Sequence, residues 1–390
     1  MLHAMSRTRI AATLTAAAVI TTALTPAASA APDRPTHEVR LLGERIVPND
    51  LVFQGTTVGG LSSIDYDPRT GGYVFICDDR SAMQAARFYT AKFDVGAKGV
   101  GPVTFTGTHP FRRPDGTTYP PLAENDPSRP QNERTVDPEE LRADPWTGDY
   151  FWSQEGERTA TTLIDPSIRR AGRDGAYVRD LPLPANEKMI PGAGPRQNLA
   201  IEGLTFAGLG SLIASSVEGP MLQDGPDATP EHGGLDRITV QSRFGPVLAQ
   251  YAYPEEKVFA APNPPGAFAT TGISSLLAAD PVDPSKFLVM ERSFVTGVGN
   301  KLRIYEMDTK GATNVLGVKS LAGAKNVKPV RKRLVADLAD FPLSTLSTVD
   351  NVEGMTWGPR LPSGERTLVL VSDNNFSATQ VTQLIALAIR

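Results

Sequence analysis

Apolar residues recur along the chain in short runs, and several of these runs stop abruptly at small, polar and acidic residues. Tyr73-Val74-Phe75-Ile76-Cys77 ends at Asp78-Asp79, and Trp152-Ser153-Gln154 ends at Glu155. Ala214-Ser215-Ser216-Val217 ends at Glu218, Leu288-Val289-Met290 at Glu291, and Val369-Leu370-Val371-Ser372 at Asp373. Other stretches alternate polar and apolar positions with period two, as in residues 87–93, 236–240 and 301–306, the mark of strands with one buried face. Helical periodicity is scarce after residue 31. Asp67-Pro68-Arg69-Thr70-Gly71-Gly72, Asp144-Pro145-Trp146-Thr147-Gly148 and Leu361-Pro362-Ser363-Gly364 carry proline early and glycine late, which suits tight hairpins.

The pattern repeats. A strand start of the form acid-Gly-apolar is read at Gly59-Gly60-Leu61, Glu139-Glu140-Leu141, Glu202-Gly203-Leu204, Thr271-Gly272-Ile273 and Glu353-Gly354-Met355. Each is followed 14 to 18 residues later by one of the acidic strand ends above. A unit of three or four antiparallel strands, returning five times, predicts an all-β fold, a β-propeller with five blades. The poorly patterned stretches 94–135 and 306–345 leave room for a sixth. Residues 383–389 read as a last strand and 37–42 as an early strand without its own unit. Pairing the two closes the ring and hides both edges.

This repeat gives the acids a common address. If the first motif opens the innermost strand and the second closes its antiparallel neighbour, both lie at the same end of every blade. The expected ring contains Glu139, Glu202 and Glu353 at strand starts, and Asp78, Asp79, Glu155, Glu218, Glu291 and Asp373 at strand ends. Asn351 adds an amide oxygen. So many carboxylates repel one another without a cation. Hard oxygen donors select Ca²⁺ over Mg²⁺, and the scattered His37, His109 and His232 argue against zinc. Glu202, Glu353 and Asp373 are the candidate catalytic carboxylates, with Arg80 and Arg292 placed to hold an anionic group. The alternative role for a strand-start Glu is structural, accepting backbone N–H groups between blades.

The remaining composition narrows the picture. A net charge of −4 disfavours a nucleic-acid surface. Arg7 and Arg9, the apolar run 10–24 and Ala28-Ser29-Ala30 predict a signal peptide over 1–30. Residues 31–390 are then a single secreted, soluble, monomeric domain with no later membrane span. The one cysteine, Cys77, lies inside an apolar run and is expected to be a buried hydrophobe. A G-x-S-x-G elbow, a P-loop, G-x-G-x-x-G and H-E-x-x-H are all missing.

Gly60-Leu61-Ser62-Ser63-Ile64, the Asp78-Asp79-Arg80 strand end, Ile201-Glu202-Gly203-Leu204, Met290-Glu291-Arg292-Ser293, and Val352-Glu353-Gly354-Met355 with Ser372-Asp373-Asn374-Asn375 resemble the phytase-like, "esterase-like activity of phytase" family of secreted proteins, over residues 50–389. The resemblance implies a propeller and hydrolysis of a phosphoester or ester in a small molecule. The expected function is therefore a Ca²⁺-dependent hydrolase. A lactonase-type hydrolase and a non-catalytic extracellular binding propeller with structural Ca²⁺ are the alternatives. The second unit departs from the pattern with Glu140 in place of Gly, and the fourth with Thr271 in place of Glu.

Overall fold

In the computed structural model, which describes residues 38–342 and 346–390, five four-stranded antiparallel sheets are arranged as the blades of a propeller. Blade 1 is built from Ser63–Asp67, Gly72–Cys77, Arg87–Lys92 and Thr104–Pro110, innermost strand first. Blade 2 is Pro138–Ala143, Tyr150–Gln154, Ser167–Ala171 and Tyr177–Leu181. Blade 3 is Ile201–Ala207, Leu212–Val217, Leu235–Ser242 and Val247–Pro254. Blade 4 is Ala269–Ala278, Lys286–Val295, Gly299–Asp308 and Arg331–Asp337. Blade 5 is Val352–Gly358, Arg366–Ser372, Thr382–Ile389 and, as its outer strand, Val39–Val47.

The early strand thus closes the ring as its sequence suggests, running antiparallel to the last strand from the Val39–Ile389 pair to the Val47–Thr382 pair. No sixth blade forms among the described residues. Residues 94–135 supply the outer strand of blade 1 and a loop with two short 3-10 turns, and 306–345 supply the outer strand of blade 4. The expected signal peptide lies outside the described residues. No described helix is long and apolar enough to cross a membrane.

The hairpins follow from turn chemistry. Thr70 and Gly71 N–H groups return to the Asp67 carbonyl at 3.2 and 2.9 Å, and Gly71 has φ +63°. The inner strands of successive blades pack directly against one another around the axis. Gly354 permits the closest of these approaches, because a Cβ there would fall 2.6 Å from the Ser63 Cα of the next blade. Gly354→Ala is therefore expected to lower the unfolding free energy by about 1–3 kcal/mol, read by denaturant titration. Between the blades lie apolar layers, such as Ile238, Tyr253, Ile273, Leu276 and Met307 between blades 3 and 4. Cys77 is fully buried among the apolar residues of blade 1, its Sγ against the Gly59 carbonyl, and burial pushes its thiol pKa far up.

One side chain blocks the axis. Arg142 leaves the inner strand of blade 2 and is 2% exposed. It donates to the carbonyls of Leu204 (2.7 Å), Ile64 (3.1 Å), Met355 (2.9 Å) and Leu276 (3.1 Å), one in each of the other four blades. Glu140 lies 3.1 Å away and balances its charge.

Candidate active site

Strand register explains which acids meet. Ser63 pairs with Ile76, Leu141 with Trp152, Gly203 with Ser216, Ser275 with Met290, and Gly354 with Val371. Two residues beyond that pairing partner, or three beyond Trp152, every blade reaches the same level. The five residues there are Asp78, Glu155, Glu218, Arg292 and Asp373. At the inner-strand bulges of blades 2 to 5 an extra residue interrupts the ladder, and in blades 2, 3 and 5 it lines the mouth. Glu139, Glu202, Ser274 and Glu353 stand there, with Ser62 at the same level of blade 1.

The register also corrects two sequence alignments. In blades 1 and 4 the repeat lies three residues later than the glycine motif suggests, at Ser62-Ser63-Ile64 and Ser274-Ser275-Leu276. Blade 4 consequently presents Arg292, and not Glu291, at the mouth. Successive strand residues face opposite sides, so Glu291 turns away, to Lys332 at 2.6 Å and the Tyr253 hydroxyl at 2.6 Å. Asp79 is also absent from the mouth. Its carboxylate accepts the N–H groups of Ala82, Met83 and Gln84 at 2.7–3.0 Å and pairs with buried Arg87 at 2.8 Å, which ties down the loop after the strand.

The other expected residues come together. Asp78, Arg80, Glu139, Glu155, Glu202, Glu218, Arg292, Asn351, Glu353 and Asp373 all line one cavity of about 1020 Å³ at the channel mouth. Ten carboxylates and two arginines line it in total. Oxygens of Asp137, Glu139 and Glu155 lie within 4.8 Å of one another, and so do oxygens of Glu155, Glu202 and Glu218. Glu155 belongs to both groups. No histidine or cysteine lines the cavity, and this all-oxygen donor set fits a hard cation such as Ca²⁺. Asp137 is a site residue that the motif search misses. It stands two residues before Glu139, as Asn351 stands two before Glu353, and that spacing was the available signal.

The arginines are already engaged. Arg292 donates to the Asn351 side-chain oxygen at 2.5 Å and lies 3.1 Å from Glu218 and 3.5 Å from Glu353. Arg80 pairs with Glu157 and lies 3.3 Å from Asp137. Asn351 also donates to Glu353 at 2.9 Å. The loop 223–234 contributes Asp227 and Ala228 to the cavity wall, and residues 119–126 contribute nothing. Arg158, which follows the strand-end Glu155, pairs with no acid of the mouth and donates to the carbonyls of Pro195, Ile190 and Ala193.

Burial, followed by like charge, drives the acids toward their protonated forms. Asp78 is pushed up to about 8, by burial and then Glu353 and Asp137. Burial likewise raises Asp137 and Glu218 to about 7, although Arg80 and Arg292 respectively oppose it. Glu139, Glu155, Glu202 and Asp373 are raised well above the ordinary range, again by burial first. A carboxyl whose pKa is higher folded than unfolded stabilises the fold at low pH and loses that contribution as pH rises through the folded value. The metal-free protein is thus expected to melt at progressively lower temperature between about pH 5 and pH 8.5. A bound divalent cation requires the ionised acids, so added Ca²⁺ should raise the melting temperature most at the upper end. Thermal melts across pH, in chelator and in Ca²⁺, check both signs.

No curated protein matches the chain. Among solved structures, an α-L-arabinofuranosidase from Lactobacillus brevis is similar at 9% identity and TM-score 0.42, over 84% of this chain and 91% of that one. A gluconolactonase from Xanthomonas campestris is similar at 11% identity and TM-score 0.34, over 92% and 96%. The Dos1 propeller is similar at 6% identity and TM-score 0.33, over 86% and 69%. The Phytase-like family, described as "Esterase-like activity of phytase", matches residues 56–376, a span holding every inner strand and both levels of mouth residues. The chain belongs to the Phytase-like family.

Proposed function

We propose that the mouth of the propeller binds Ca²⁺ and hydrolyses an ester or phosphoester of a small molecule. The observation that carries this reading is the pair of buried carboxylate triads sharing Glu155, set beside two arginines in one open cavity. Asp137, Glu139, Glu155, Glu202 and Glu218 would hold the cation. When bound, it supplies positive charge to the scissile group's oxygen and favours ionisation of water. Arg292, held between Glu218 and Glu353, lines the same cavity and would set its positive charge beside an anionic substrate oxygen. Glu353, which accepts a hydrogen bond from Asn351, would take a proton from the attacking water, with Asp373 in the same cavity wall. The excess of carboxylates over arginines disfavours a densely phosphorylated substrate, so a singly charged phosphoester, a carboxylic ester or a lactone suits the cavity better. The signal-peptide pattern supports action outside the cell.

The test is an assay of the purified chain against phosphomonoesters, phosphodiesters, carboxylic esters and lactones, with Ca²⁺ and with chelator. Turnover of one class that disappears in chelator and returns with Ca²⁺ supports the reading and names the bond. If no class turns over while Ca²⁺ raises the melting temperature, the protein is a binding propeller, and the catalytic reading is wrong.

A further inference from the structure

A second group of acids lies outside the mouth, between blades 3 and 4. Asp236 opens the third strand of blade 3 and is 0% exposed, and Glu255, just past the fourth strand, is 5% exposed. Both oxygens of Asp236 and both oxygens of Glu255 are buried without a hydrogen-bond partner among the described residues.

Their geometry is fixed by the ladder. Asp236 stands directly across from Tyr253, so the two side chains share a face. The Tyr253 hydroxyl donates to Glu291 of blade 4, which shows that this face looks toward blade 4. The Glu255 N–H bonds to the Gly234 carbonyl, and a Cβ on Gly234 would fall 2.9 Å from Glu255 Oε2. Gly234 lies just before the strand, and the Glu255 N–H bond extends the pairing to it, so positions 234 and 236 point to the same side and the Glu255 carboxylate is folded onto the side occupied by Asp236. The nearby cation is Lys332, but its ammonium is committed to Glu291 at 2.6 Å and Glu256 at 3.1 Å. Glu291 is filled as well, taking Tyr253, Lys332 and the Glu256 N–H.

Four orphaned oxygens on two buried carboxylates are costly in a packed sheet interface unless something bridges them. We infer that Asp236 and Glu255 bind a second divalent cation, Ca²⁺ by the hardness of the donors, which fastens blade 3 to blade 4 independently of the mouth. Such a site needs several oxygens at 2.3–2.6 Å, and the two carboxylates in bidentate mode supply about four of the six to eight required.

Tyr253 offers a direct test, because the cavity at the mouth has no tyrosine or tryptophan in its wall. Chelator-treated protein is titrated with Tb³⁺ as a Ca²⁺ surrogate, with excitation through tyrosine. Sensitised emission that Ca²⁺ displaces, that Glu255→Gln and Asp236→Asn abolish, and that Glu202→Gln at the mouth leaves intact is expected. Calorimetric counting should likewise find one Ca²⁺ fewer in the Asp236→Asn/Glu255→Gln protein than in wild type. An equal Ca²⁺ count with both proteins folded by circular dichroism, or no sensitised emission from wild type, overturns the inference and leaves a proton shared between the two carboxyls. If the double variant fails to fold, the Glu255→Gln protein alone is counted, with the same two outcomes. Loss of Ca²⁺ at the mouth alone, seen in Glu202→Gln, bears on the proposed function and not on this site.

Discussion

The Glu202→Gln protein is expected to hydrolyse its substrate about 10²–10³-fold more slowly than wild type, while its metal-free form melts at a higher temperature. Both effects come from one carboxylate. Glu202 sits on the blade 3 bulge within 4.8 Å of oxygens from Glu155 and Glu218, and burial followed by Glu218, Glu155 and Glu353 drives it toward protonation. An amide there removes a charge that the empty fold holds at a cost, but also removes a donor for the cation. Opposite signs for activity and metal-free stability mark a functional acid. Asp79 provides the contrast, because three N–H groups and Arg87 favour its charge. Asp79→Asn should lower stability and leave turnover per folded molecule unchanged. Steady-state kinetics and melts of the two variants side by side separate the roles. If Glu202→Gln retains full turnover, the mouth carboxylates are not the catalytic centre.

The Arg142→Met protein is expected to lose about 3–5 kcal/mol of stability, the range for breaking a buried ion pair by removing one member. Methionine fills much of the volume but leaves carbonyls in four blades without their donor, and leaves Glu140 charged or protonated in the interior. Burial already pushes Glu140 up to about 8 beside its arginine. Adding Glu140→Gln should recover part of the loss, because the unpaired charge is then gone while the orphaned carbonyls remain. Denaturant titration of the single and double variants gives both numbers. A loss under about 1 kcal/mol for Arg142→Met would show that the axis is held by strand packing alone.

Much of this was legible in the sequence because a propeller writes each blade's inner edge in similar residues. Glu202-Gly203-Leu204 and Glu353-Gly354-Met355 occupy the same bulge in blades 3 and 5, and the acids after the second strands mark the same rim. Glycine is a poor anchor for the repeat in two of the blades. In blades 1 and 4 serines occupy the bulge level, and the nearby Gly60 and Gly272 belong to the segment leading into it. In blade 4 the apolar run ends one residue short of the mouth level, so strand alternation turns Glu291 away and presents Arg292. Asp137 was hidden for a related reason, since the two-residue spacing to the bulge acid is a property of register and not of a recognisable motif. Arg142 could not be read at all. Its role lies in reaching, from one blade, carbonyls in each of the other four. The uniqueness of one blade carries no signal within that blade.

Because Val39–Val47 lies beside Thr382–Ile389, the last sheet pairs residues 335 to 350 positions apart in sequence. Pairings of such long range come late in folding, and all-β chains dominated by them fold on the order of milliseconds to seconds. The same clasp makes the finished molecule tolerant of a broken backbone. A single proteolytic cut in a loop between two blades leaves both fragments hydrogen-bonded to each other through blade 5, so nicked protein should still elute as one particle and come apart only in denaturant.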